Sequence, residues 1–294
     1  MNSLLLLFIA CGNKDEDTAT VEPSTEEPSG EPSAEEPSGE PSAEEPSGEP
    51  STEEPSGEPS TEEPAGEPSG EPVQTAKVRV VHLSPDAPEV DVYVNGAASG
   101  ITAPFAAGTG YVDLEVGDYE FSVAPAGTDY TSIVSTVLNT SLVADTNYTA
   151  IAHGYLDSAT NNNGNNEFAI TAFVDDSAEI TEGSFKVQVV HAAAADAFAE
   201  VDIWNLTDTG TGQTVLIPDF AYGSSLTTEL PAGVEYVLGF DIDNDPLTVE
   251  ATFTIPDTIT GFVGLYAAND TDGSPFLFAH FEDGTTARID PNAE

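Results

Sequence analysis

From Val73 onward, apolar and polar residues alternate with the period of two that marks a strand with one buried face. Val112, Leu114 and Val116 alternate with Tyr111, Asp113 and Glu115. After Gly117-Asp118, Tyr119, Phe121 and Val123 alternate with Glu120 and Ser122, so the spacing predicts a hairpin. Val249, Ala251, Phe253 and Ile255 repeat the pattern against Glu250, Thr252 and Thr254. Asn95-Gly96, the run Asn161 to Asn166, and Asp272-Gly273 are turn signals that bound such segments. No segment holds a 3.6-residue apolar period for three turns. The alanine run Ala192 to Ala195 stands where an earlier copy has Ser84-Pro85-Asp86-Ala87-Pro88, which cannot be helical throughout, and both are read as loops.

That earlier copy is part of an internal duplication. Lys77-Val-Arg-Val-Val-His82 returns as Lys186-Val-Gln-Val-Val-His191, and Val90-Asp-Val-Tyr93 as Val201-Asp-Ile-Trp204. Phe105 to Gly108 matches Phe220 to Gly223, and Phe168 to Asp175 matches Phe276 to Asp283. A period of about 110 residues means two domains rather than a solenoid. The expected fold is all-β: two tandem antiparallel β-sandwich domains of immunoglobulin-like shape, residues 73–182 and 183–294, behind a disordered N-terminal tether. A small closed barrel is the alternative for each copy.

The first 72 residues read differently. Leu4 to Ile9 is an apolar run, far shorter than the ~20 residues a membrane-spanning helix needs. It has the character of a signal-peptide core, residues 1–10, with Cys11 after the cleavage point and residues 11–21 as the mature N-terminus. Residues 22–72 follow as five nonapeptides of the form Glu-Pro-Ser-(Thr/Ala)-Glu-Glu-Pro-(Ser/Ala)-Gly and a short closing run. The tract holds no apolar side chain larger than Ala, so nothing offsets the entropy of ordering it. Paired prolines and like charges make it an extended spacer that lifts a cargo off a surface.

Charge and cysteine usage narrow the function classes. There are 53 acidic residues against 5 basic ones, a net charge of −48. Such a surface repels nucleic acid and anionic headgroups, so no nucleic-acid partner is expected. The same acids make a multivalent cation a candidate ligand. With one cysteine in the chain, Cys11, neither an internal disulfide nor a cysteine-based zinc site can form.

Two family resemblances sit on these residues. Phe8-Ile9-Ala10-Cys11 resembles the lipobox of bacterial lipoproteins, which implies that Cys11 carries the lipid and becomes the mature N-terminus. Gly12 after that cysteine is similar to the sorting signal for the outer membrane, and Lys14-Asp15-Glu16 to the export signal of surface-exposed lipoproteins. The stretch Val80-Val-His-Leu-Ser-Pro-Asp-Ala-Pro-Glu-Val-Asp-Val-Tyr-Val-Asn-Gly96, with Tyr148-Thr-Ala-Ile-Ala-His-Gly154, resembles DUF4397. That bacterial extracytoplasmic family implies a location and a fold but no reaction.

Candidate chemistry is sparse. His82 and His191 are repeat-equivalent, with Asp86 and Asp196 placed to pair with them and fix the loops. His153 and His280 have no ligand-type residue at metal spacing. No activated serine turn and no phosphate-cradling glycine loop occurs, so the chain is read as a non-enzyme, with an envelope hydrolase as the minor alternative. Asp241, Asp243 and Asp245 resemble half of a calcium loop, which makes calcium the one candidate cofactor and a calcium-stabilised surface element a second reading. Tyr93 and Trp204, on the face opposite Val201 and Ile203, are the candidate binding platform. The expected partners are the membrane, through the lipid, and an envelope or extracellular ligand.

Overall fold

The computed structural model describes residues 73–134, 137–207, 213–242 and 248–293. The proposed lipid site at Cys11, the repeats of the tether, and Asp243 and Asp245 lie outside the described residues. In the first half the strands are β1 (Thr75–His82), β2 (Val90–Val94), β3 (Ala97–Ala103), β4 (Ala107–Gly108), β5 (Val112–Glu115), β6 (Gly117–Pro125), β7 (Leu138–Leu142), β8 (Asn147–His153) and β9 (Ala169–Asp175). In the second they are β10 (Ser184–His191), β11 (Glu200–Asn205), β12 (Thr214–Ala221), β13 (Ser225–Pro231), β14 (Tyr236–Asp241), β15 (Ala251–Ile255), β16 (Phe262–Asn269), β17 (Pro275–Phe281) and β18 (Thr286–Ile289). A one-turn helix, α1 (Ser158–Asn161), and two 3-10 turns complete the described elements.

These strands form four sheets. The first half contributes an inner sheet, β4-β1-β8-β9 with β5 also on β1, and an outer sheet, β3-β2-β6-β7. The second half contributes an inner sheet, β13-β10-β16-β17-β18, and an outer sheet, β12-β11-β14-β15. The fold is all-β and sandwich-like, as expected. Its sheets are not purely antiparallel, because β1 pairs parallel with β8 and β10 parallel with β16. A parallel pair needs a long connection. Here the chain leaves β1, builds the outer sheet and returns at β8, and the second half repeats the route.

The two inner sheets face one another. Val81, Leu83 and Ile151 pack against Val190, Ala192, Tyr266, Phe276 and Phe278, forming an apolar layer between the halves in addition to the layer inside each one. The two halves accordingly fall within one compact unit. Strand parity makes this possible: Val78 and Val80 point into the first half while Arg79 and Val81 point at the second. In the second half Phe185 and Val187 point inward while Gln188 and Val190 point back. Strands β8 and β16 are thus buried on both faces, which is why they read as apolar runs without alternation.

Three sequence expectations need correction. Residues 112–123 are not a hairpin: β5 pairs with β1 of the inner sheet and β6 with β2 and β7 of the outer sheet. Gly117, at φ +147°, turns the corner between the two sheets. Next, the Phe-Ala-x-Gly echo is out of register. The amide of Ala106 donates to the His82 carbonyl and that of Gly223 to the His191 carbonyl, both at 2.8 Å, so Phe105 corresponds to Tyr222, not Phe220. Both rings sit edge-on to their histidine, at 6.2 Å for His82–Phe105 and 6.0 Å for His191–Tyr222. Finally, β9 and β17 are offset by one. Tyr148 pairs with Val174 and its counterpart Val263 with Phe281, so Phe168 faces its own core while Phe276 faces the layer between the halves.

Candidate functional site

The densest polar cluster lies between the inner sheets. Arg79 Nε is 3.3 Å from Asp175 Oδ2 with both side chains fully buried, and it donates to Thr149 Oγ1 at 2.8 Å. Across the layer Arg79 Nη1 donates to the Phe281 carbonyl at 2.8 Å and Nη2 to the Tyr266 hydroxyl at 3.3 Å. Thr149 and Tyr111 hydroxyls both donate to Asp175, and the guanidinium lies 4.7 Å from the centre of the Tyr111 ring. Burial raises the Asp175 carboxyl above its usual range, with Arg79 and the two hydroxyls opposing. Burial and the same carboxylate push the Tyr111 phenol up, and burial takes Tyr266 to about 12. A buried charge of this kind is stable only while paired and hydrogen-bonded. The cluster is a joint between halves, sealed from solvent.

All four histidines are buried. His82 does not pair with Asp86. Its Nε2 donates to the Pro88 carbonyl at 3.1 Å and its Nδ1 accepts from the Ser84 amide at 3.3 Å. Asp86 instead accepts from the amides of Leu156 and Asp157 and from Asn161 Nδ2, and Asp196 accepts from Asn163 and Asn165. The reason is reach: the loop turns both carboxylates outward, toward α1 and the asparagine turn. His153 lies edge-on to Tyr222 of the other half, and His280 Nε2 donates to the Thr109 carbonyl at 2.8 Å. Burial lowers His82, and takes His153, His191 and His280 to about 4, so these rings are neutral at pH 7.

The two platform residues are on opposite outer layers, and the structure does not bring them together. Trp204 does face away from Val201 and Ile203, as parity requires. It is half-buried, and its Nε1 donates to Asp241 Oδ2 at 2.9 Å. Tyr93 is 7% exposed, covered by Tyr130 at 5.5 Å between rings, with its hydroxyl donating to the Thr128 carbonyl at 2.9 Å. Asp241 is fully buried opposite Asp202 in the β11–β14 ladder, and the two, with Asp219, line a shallow acidic recess. Among the described residues no group of three or more His, Cys, Asp or Glu side chains is arranged to hold a metal.

Neither the Arg79–Asp175 joint nor an apolar cavity in the second half is marked by a sequence motif. Between the sheets of the second half runs an apolar cavity of about 120 Å³, reaching from Leu216 and Leu226 at the edge to Val187, Ile255, Ile259 and Val263 in the core. The corresponding space in the first half is about 20 Å³. Leucines in strands read as core residues, so nothing in their spacing distinguishes a wall from a mouth.

The parallel β1–β8 pair and the Ser84 to Pro88 loop lie within a segment that is similar to a known domain family. Residues 76–204 match DUF4397, a domain of unknown function. The DUF4397 match starts in β1, takes in the whole first half and ends at Trp204 in β11, so it crosses the duplication rather than stopping at the sandwich boundary. No curated protein matches the chain. Among solved structures, the chain is similar to one described as alpha-glucan binding by a streptococcal virulence factor, at 13% identity and a TM-score of 0.23, covering 68% of this chain and 95% of that one. It is also similar to the Bacillus anthracis TIE protein, at 14% identity and a TM-score of 0.18, covering 74% of this chain and 43% of that one. Likeness at this level carries no functional argument for this chain.

Proposed function

We propose that this chain is a lipid-anchored cell-envelope protein that holds its joined β layers away from the outer membrane on the acidic tether, as a non-enzymatic binding or adhesion element. Cys11 is the attachment point, the membrane is a partner through the lipid, and the ligand is an envelope or extracellular one rather than nucleic acid. The observation that carries the reading is where the reactive side chains go. Arg79, Asp175 and all four histidines are shut between strands or sheets, where they join parts of the fold. Among the described residues, what faces outward includes acidic side chains and the apolar mouth at Leu216 and Leu226.

The test is metabolic labelling with an alkyne fatty acid in a bacterial host that processes lipoproteins. The expected result is a labelled chain in the outer-membrane fraction, with label and membrane association both lost in Cys11→Ser. An unlabelled chain that stays in the cytosol overturns the reading.

A further inference from the structure

The cavity in the second half has the features of an entrance rather than a packing fault. Strands β12 and β13 are the edge strands of the outer and inner sheets, on the same side of the sandwich. Leu226, Thr228 and Leu230 pair with Val189, Val187 and Phe185, whose side chains face the core, so they too point between the sheets. Ile217 pairs with the core residue Ile203, and Leu216 sits at the register break beside it. Despite pointing inward, Leu226 is 41% exposed and Leu216 37%. An aliphatic side chain aimed between two sheets yet left in water forgoes most of the burial that strand formation normally brings.

The duplication supplies the comparison. Where the second half has the continuous strand β13, the first has the short β4 and β5, and Thr109 between them folds back so that its hydroxyl accepts from the Val80 amide at 3.1 Å. The matching space in that copy is about 20 Å³, against about 120 Å³ in the second. The fold therefore does not require the larger space, which belongs to the second copy's own sequence.

The lining selects the occupant. It consists of aliphatic and aromatic side chains with the hydroxyls of Thr228 and Tyr236, and the Tyr236 hydroxyl is already engaged with the Pro231 carbonyl at 3.0 Å. No charged side chain lines it, so a charged group entering would lose its hydration without a partner. Apolar cavities of about 150 Å³ with this kind of wall stay dry and take up benzene-sized guests. We propose that the second half binds the end of an uncharged, unbranched aliphatic chain, inserted between β12 and β13 past Leu216 and Leu226. The proposal deepens the binding reading above and rests on it for biological sense, but it concerns the head alone.

The test uses the full chain carrying Cys11→Ser, so that no acyl group is attached, titrated with 1-octanol by calorimetry. One saturable site per chain is expected. Leu226→Trp, which plugs the mouth from an exposed position, weakens binding by at least about tenfold, as a clash built into a pocket does. Val215→Trp leaves it unchanged, because Val215 pairs with Trp204 on the outward face. Should Leu226→Trp fail to unfold cooperatively, Leu226→Glu is substituted and the same loss is expected. Absence of saturable octanol binding, or equal binding by the plugged variant, overturns the proposal. So does a dimer that Leu226→Trp dissociates and octanol does not, since a second copy would then fill the cleft. Vesicles of dioleoyl phosphatidylcholine separate the two sources of such a chain: sedimentation with vesicles lost in Leu226→Trp supports a membrane acyl chain, and octanol binding without sedimentation supports a free ligand. Failure of Cys11 to be acylated would leave every one of these outcomes readable.

Discussion

Asp86 and Asp196, on corresponding loops of the two halves, grip the same segment from opposite ends. Asp86 accepts from Leu156 N at 2.6 Å, Asp157 N at 2.9 Å and Asn161 Nδ2 at 2.6 Å. Asp196 accepts from Asn163 Nδ2 at 3.1 Å and Asn165 Nδ2 at 3.0 Å, while its own amide donates to Asn162 Oδ1 at 2.9 Å. Asn162 and Asn166 both donate to the Ala194 carbonyl. The stretch from 156 to 166 is thereby a strap that belongs to the first half and is fastened to the second.

Asp86→Ala strands two backbone amides and an asparagine, so it should cost about 1.5–3 kcal/mol, the range for hydrogen bonds to a charged group. Asp196→Ala should cost less, since its partners are exposed side chains that water can serve. Urea denaturation gives the two values, and hydrogen exchange at 156–166 should show the loss concentrated there. An Asp196 effect as large as that of Asp86 would contradict this ranking.

The Arg79–Asp175 joint predicts a non-additive pair. Asp175→Asn leaves the guanidinium buried without its counter-charge, Arg79→Met leaves the carboxylate without its own, and each single variant should lose about 3–5 kcal/mol. Arg79→Met with Asp175→Leu removes both charges together and should be milder than the sum of the singles. Denaturation of the four species closes the cycle, and strict additivity would mean that the pair is not coupled.

The histidines predict the pH dependence. In the unfolded chain they titrate near 6.5, whereas in the fold burial takes His153, His191 and His280 to about 4. Between those values the unfolded state binds more protons, so stability must rise with pH through this window and fall as pH drops from about 6.5. Asp175 works in the opposite sense, because its folded value is raised and the fold holds its proton longer. Protonation of surface carboxylates also relieves repulsion in acid, so the window free of it is the upper part, above about pH 5. Urea midpoints measured there should climb with pH, and His280→Gln should reduce the slope. A flat profile from pH 5 to 6.5 would refute the burial of these rings.

Much of the fold was legible because a period of two reports which face is buried. The alternation in Ala251, Phe253 and Ile255 reappears as buried positions in β15, and Asn95-Gly96, with φ of 52° and 75°, makes the β2–β3 turn. The same signal says nothing about the partner strand, and so residues 112–123 looked like a hairpin when they are a crossing from one sheet to the other. The duplication was readable where apolar side chains repeat at strand spacing, as in Val80-Val-His82. It misled at Phe105, where a short motif recurred two residues out of place. Packing between the inner sheets was hidden for a different reason. An apolar run such as Phe262 to Ala268 shows that both faces are covered but not by what. The parity of Trp204 was visible, while its acceptor Asp241, 37 residues on, was not.

That last contact yields a prediction about calcium. Asp241 was a candidate first ligand, yet in the fold its carboxylate is buried and accepts from the indole of Trp204, the single tryptophan in the chain. A cation drawing on that carboxylate would have to compete with the indole N–H, and it would change the emission of the indole that donates to it. Specific binding to the folded state at a hundredfold excess over Kd would add about 2.7 kcal/mol, several degrees in Tm. With Asp241 engaged, calcium should shift Tm and Trp204 emission no more than an equal concentration of magnesium does, while Asp241→Ala should change the emission with either ion. Thermal unfolding and fluorescence in calcium, magnesium and chelator make the comparison. A calcium-selective rise in Tm, abolished by Asp241→Ala, would overturn this expectation and make Asp241 a calcium ligand.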